Sequence, residues 1–223
     1  MRCTAILLFA GVFTGCGTLT TARPLEPGEH VVGATFGGPI LDAGFVTTPL
    51  PNLIIQGRSG ITRLADRPLE VDYGINLTAA AFGQVGIHGG TSWLALDQNG
   101  GVPALSVTER LFFYDNHLNM DRPPELRASY LMNQLEVIAS WDTPRLLPYV
   151  GMGVYLDFVE PVPMLTPSLG TAIHLGPAWD LQLEGRYYAV NRTNDYGSLN
   201  WVTPGPGALG MTISASRRFG GQP

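Results

Sequence analysis

Gly207 to Phe219 reads GALGMTISASRRF, and this stretch decides the fold. Leu209, Met211, Ile213, Ala215 and Phe219 share one face, with Arg217 the exception on it. Gly210, Thr212, Ser214, Ser216 and Arg218 share the other. Alternation with a period of two is the signature of a strand with one greasy and one polar side.

The same rhythm runs through the rest of the chain. It predicts about ten strands, over residues 29–37, 52–60, 69–79, 83–96, 103–114, 130–141, 148–158, 168–175, 180–190 and 207–219. In the seventh, Val150, Met152, Val154, Leu156 and Phe158 oppose Tyr149, Tyr155 and Asp157. In the sixth, Leu131, Leu135, Val137, Ala139 and Trp141 oppose Gln134, Glu136 and Ser140. In the fifth, Leu105, Val107, Leu111 and Phe113 share their face with Glu109, a misfit the pattern does not account for. Most segments are close to the roughly 9–11 residues that a tilted membrane strand needs. Long and short connections mostly alternate, and residues 80–82 break the rule.

Bulk composition narrows the classes. The 223 residues suffice for one domain or one barrel. Charged residues make up 14% of the chain, against roughly 25% in ordinary soluble domains. With 28 Gly and 18 Pro, short strands and turns are favoured over a helical bundle. A formal charge of −5 argues against a nucleic-acid partner, which needs a basic face. After Phe13 no apolar run is long enough for a membrane helix, but a closed barrel can cross by satisfying every backbone group internally. Cys3 and Cys16 are the two cysteines, so neither a disulfide framework nor a Cys-ligated metal is expected.

The closing strand, ending on Phe219, resembles that of bacterial outer-membrane β-barrels, which often finish on a C-terminal Phe read by the assembly machinery. At the other end, Arg2, the apolar run Ala5 to Phe13 and then Phe13-Thr14-Gly15-Cys16 form a secretory signal. Those last four residues resemble the lipobox of bacterial lipoproteins, although Phe13 stands where that family usually has Leu. The resemblance implies cleavage before Cys16, a diacylglycerol on its thiol and an acyl chain such as palmitate on the same residue. An ordinary signal peptide with an incidental Cys16 is the alternative. Gly17, where an Asp would retain a lipoprotein at the inner membrane, points outward.

The expected organisation is a signal peptide over residues 1–15, a lipid-anchored tether over 16–28, a barrel over 29–219 and a tail over 220–223. The expected fold is all-β, an antiparallel up-and-down transmembrane barrel of about ten strands. Short turns would face the periplasm together with both termini. Outer-membrane lipid and the barrel-assembly and lipoprotein-processing machineries are the implied partners. No cofactor or metal is expected.

Alternation alone does not say which face is outside. A lipocalin-like periplasmic barrel would turn its apolar side inward around a ligand. The polar set is rich in Gly, Ser, Thr and Gln, and aromatic residues end several apolar faces, which favours the membrane. The inward set then holds Arg58, Glu70, Asp72, His88, Arg110, Glu136, Asp157, Glu184, Arg186 and Arg218. It is either a plug of ion pairs or a polar path for a small solute. No HExxH, Walker loop or GxSxG occurs. A lipid-modifying enzyme built on His88 or His174 with a nearby Ser is the remaining alternative. Asp115, Asn116, Asp121, Asn191, Asn194 and Asp195 read as turn formers.

Overall fold

In a computed structural model the chain is described over residues 20–42, 47–49, 52–81, 84–115, 129–158, 163–188, 200–201 and 208–220. The strands are β1 (Glu29–Asp42), β2 (Thr47–Pro49), β3 (Leu53–Leu64), β4 (Arg67–Asn76), β5 (Val85–Leu96), β6 (Ala104–Asp115), β7 (Ser129–Ser140), β8 (Leu146–Asp157), β9 (Pro163–His174), β10 (Trp179–Tyr188), β11 (Asn200–Trp201) and β12 (Ala208–Gly220). A short helix, α1 (Leu77–Ala81), follows β4.

Ten of these strands form one antiparallel ring in chain order, from β1 and β3 through β10 to β12. The ring closes where β12 pairs back onto β1, from Glu29 opposite Gly220 to Pro39 opposite Gly210. Closure leaves no strand edge, so every ladder position finds a partner. The short β2 and β11 pair with the last residues of β1 and prolong it beyond the ring.

Several boundaries differ from the sequence reading: β3 runs on to Leu64 and β4 starts at Arg67, so the turn expected over 61–67 shrinks to two residues, and β8 starts at Leu146. Residues 38–42, expected in a loop, continue β1. The third expected strand stops at Asn76, whose side-chain Oδ1 accepts a hydrogen bond from the Ala79 amide at 2.9 Å and so caps α1. The connection that broke the long–short rule therefore spans residues 77–84 and contains a helical turn. Finally, β9 begins at Pro163, within a stretch read as a Pro-rich loop. Leu165 and Leu169 point outward and Thr166 and Ser168 inward there, so burial periodicity overrides the proline signal.

The two faces sort cleanly. Leu135, Val150, Met152, Leu169, Leu183, Met211 and Ile213 lie outside, each 41–66% exposed. Glu70, Ser92, Thr108, Arg110, Gln134 and Glu136 lie inside with no exposed surface. A lipocalin-like barrel would show the reverse. The apolar belt faces outward and the interior is polar, the arrangement of a barrel whose solvent is lipid.

Large inward side chains are accommodated by inward glycines on the next strand. A Cβ on Gly170 of β9 would collide with the ring and hydroxyl of Tyr149 on β8, and one on Gly74 of β4 with the ring of His88 on β5. Gly170→Val should therefore destabilise the folded barrel by about 1–3 kcal/mol through overpacking. Gly185→Val is the control, since its Cβ would approach nothing nearer than the Gly210 carbonyl oxygen at 4.0 Å. Urea titration followed by heat-modifiable gel migration reads both.

Candidate functional site

The site is the filled lumen. Residues 20–28, the end of the stretch expected as a lipid-anchored tether, enter the barrel at its short-turn end. Thr20, Thr21, Ala22 and Leu25 are buried there at 4% exposure or less. Backbone groups drawn away from water need partners, and the barrel wall supplies them. The Ala22 carbonyl accepts from Ser106 Oγ at 3.2 Å and Ser140 Oγ at 3.0 Å. The Arg23 carbonyl accepts from Arg58 Nη2 at 2.9 Å. The Leu25 amide donates to Glu70 Oε2 at 2.9 Å.

Two threonines tie this segment to the charged interior. Thr21 Oγ1 donates to Glu70 Oε1 at 2.9 Å and accepts from Arg110 Nη2 at 3.0 Å. Thr20 Oγ1 donates to Glu184 Oε2 and accepts from Arg186 Nη2 at 3.1 Å. Thr21 thus sits between a carboxylate on β4 and a guanidinium on β6, and Thr20 between a carboxylate and a guanidinium two residues apart on β10. Around them the charges pair directly. Arg58 Nε and Nη2 grip Glu70 at 2.9 and 2.8 Å, and Arg110 Nε lies 3.0 Å from both oxygens of Asp72. Arg186 reaches Glu136 and Glu184, each at 2.9 Å. Tyr149 donates to Glu184 Oε2 at 2.9 Å, and Ser168 to Glu136 Oε1 at 3.2 Å. Fork-shaped guanidiniums suit such paired contacts.

Above the charged layer the lumen turns apolar. Phe112, Tyr114, Met132, Tyr155 and Tyr188 cluster with Ala79 of α1, so the helix closes down on the interior from the long-loop end. His88 packs against Phe112, ring centroids 5.6 Å apart. At the short-turn end a cavity of about 630 Å³ remains between the N-terminal segment and the wall, lined by Arg58, Leu147, Ala172, His174, Gln182 and Ser216 among others.

Of the residues singled out from sequence, Arg58, Glu70, Asp72, His88, Arg110, Glu136, Glu184 and Arg186 all face the lumen and are buried. Arg218 sits at the rim instead, near Asp180 at 3.5 Å and Glu29 at 3.7 Å. Phe219 lies on the outer face beside Arg217, whose guanidinium also stacks near Trp179. The side chain of Asp157, Cys16 and the turn formers Asn116, Asp121, Asn191, Asn194 and Asp195 lie outside the described residues. Thr20 and Thr21 escaped the sequence reading because no periodicity marks a segment that is neither strand nor helix. Tyr149, Gln134 and Gln182 lay on the polar faces already drawn, but their neutral side chains gave no reason to single them out.

No hydrolytic constellation is assembled among the described residues. Ser92 bonds Thr108 at 2.8 Å rather than His88. His174 has Asp180 Oδ1 at 2.6 Å from Nδ1 and Asp142 Oδ1 at 3.9 Å from Nε2, so both ring nitrogens face carboxylates and neither a hydroxyl.

The ring of ten antiparallel strands with its greasy exterior has solved counterparts. One similar structure is the COG4313 outer membrane channel from Pseudomonas putida F1, at 9% identity over 91% of this chain and 99% of that one, with a TM-score of 0.52. The fold is that of a bacterial outer-membrane β-barrel. The transport unit of the autotransporter AIDA-I from Escherichia coli is also similar, at 10% identity over 97% of each chain and a TM-score of 0.49. So is the translocator domain of autotransporter NalP from Neisseria meningitidis, at 10% identity over 87% of this chain and 90% of that one, with a TM-score of 0.45. At such identities the likeness is one of fold. No protein-family model matches this barrel, and no characterised protein matches its sequence.

Glu70 holds the wall and the segment at once, through Arg58, Thr21 and the Leu25 amide. Glu70→Ala would leave a buried guanidinium without its carboxylate, a loss of about 3–5 kcal/mol. It should also free the segment, so that proteinase K, which needs no particular residue, trims residues 20–28 in folded barrels. Glu26→Ala removes an exposed pair with Arg63, 2.8 Å apart, and should cost less than about 1 kcal/mol with no new cleavage.

Proposed function

We propose that the protein is an outer-membrane barrel lipoprotein whose lumen is occupied by its own N-terminal segment, serving as a non-enzymatic membrane scaffold rather than an open pore. The observation that carries this reading is the placement of Thr20 and Thr21, each between a buried arginine and a buried glutamate. An aqueous channel would leave these charges hydrated, whereas here they are paired with one another and with the segment. A small barrel also has room for little beyond its own side chains.

The short turns, the rim that residues 20–28 enter and both ends of the barrel belong on the periplasmic side in this reading, as in other bacterial barrels. A lipid on Cys16 would stand at most ~14 Å of extended chain from Thr20, so anchor and plug occupy one short stretch. Incorporation of labelled palmitate in cells, abolished by Cys16→Ser, tests the anchor.

Planar-bilayer conductance tests the plug. The purified protein should be nearly silent. Thr20→Val combined with Thr21→Val keeps the shape but removes both bridging hydroxyls, and deletion of residues 17–27 removes the segment. Both should raise conductance, the deletion more. A wild-type barrel with large steady conductance, or folded variants as silent as the wild type, would overturn the proposal.

A further inference from the structure

Glu109 stands in the middle of the greasy face of β6, with Leu105 and Val107 before it and Leu111 and Phe113 after it on the same side. Directly opposite on β7 is Leu135, half exposed, and on β5 is Thr91. Its partner among the described residues is Asn133, whose Nδ2 donates to Oε1 at 3.0 Å. Among the described residues no second donor reaches this exposed carboxylate. Hydrocarbon offers no donor, and a polar group left there is costly whichever way it is protonated. On either side of Glu109, β6 carries two apolar outward residues, Val107 and Leu105 one way and Leu111 and Phe113 the other.

The neighbourhood of Glu109 is built to be met. Asn133 keeps a second amide hydrogen, Thr91 presents an exposed hydroxyl, and Gly89 beside it projects no side chain, leaving the surface shallow. Acceptor and donors therefore lie in one patch. A surface carrying both halves of its own hydrogen-bond set is self-complementary, which is what a two-fold contact requires.

We infer that the β5–β6–β7 face, centred on Glu109, is the interface for a second copy of this chain within the membrane. Across a two-fold axis each Glu109 accepts from the partner's Thr91 and the partner's Asn133, and Val107, Leu111 and Leu135 pack around the pair. The contact buries a carboxylate that the greasy belt otherwise strands. It also gives a reason for the single break in the alternation of β6.

This inference rests on the membrane-embedded reading, so insertion is established first by resistance to alkaline carbonate extraction. Protein that is released by carbonate overturns both readings. Inserted protein is then labelled and counted by single-molecule photobleaching across a range of protein-to-lipid ratios. The wild type should shift from one to two copies per spot as the ratio rises. Glu109→Leu and, separately, Asn133→Leu should weaken that association about ten-fold, with folding verified by heat-modifiable migration. A wild type that stays monomeric at every ratio, a dimer unaltered in both variants, or photocrosslinking from position 109 to a different protein in native membranes would each overturn the two-copy interface.

Discussion

Among the described residues, seven carboxyl and guanidinium side chains are shut inside a tube whose outside is greasy: Arg58, Glu70, Asp72, Arg110, Glu136, Glu184 and Arg186. Nothing else in the structure is as demanding. A buried charge is tolerable when it is paired and its remaining donors and acceptors are satisfied. That requirement sets which strands must be neighbours in space, because every pair but one, Arg186 with Glu184, joins different strands. Arg110 on β6 meets Asp72 on β4 across β5, and Arg186 on β10 meets Glu136 on β7 across β8 and β9. Such pairs tie strands that have one or two others between them in the ring, where ladder hydrogen bonds tie only adjacent strands.

The N-terminal segment completes this network rather than merely filling space. Its Ala22 carbonyl accepts from two wall serines, and its Leu25 amide adds a second donor to the Glu70 oxygen that Arg58 already grips. Its two threonine hydroxyls each act as donor to an acid and acceptor from a base, a double role that alanine or valine cannot fill. Two kinds of packing therefore share the lumen. Charge and hydroxyl chemistry hold the short-turn half, and a cluster of aromatic rings under α1 holds the other.

Exceptions to the two-face rule are as informative as the rule. Arg217 breaks it at the rim, where Trp179 and Phe219 flank its guanidinium and headgroups are within reach. Glu109 breaks it at the middle, where no such relief exists. Position along the strand thus separates an ordinary interfacial cation from a polar group that calls for a protein neighbour.

How much was legible in advance follows from which forces act locally. Residues such as Leu183 and Glu184, or Ile213 and Ser214, declare opposite faces by adjacency alone, because a strand turns successive side chains apart. From that, the strand number and the barrel class were readable from the amino-acid order, and so was the inward side of eight of the ten residues singled out for the lumen. It could not say which acid meets which base, since Arg110 and Asp72 are 38 positions apart and meet only when the ring closes. Nor could it show that Thr20 and Thr21 lie inside. A non-repeating segment carries no periodic signal, and its place is decided by unsatisfied groups on distant strands. Three-dimensional closure alone brings those groups to face it.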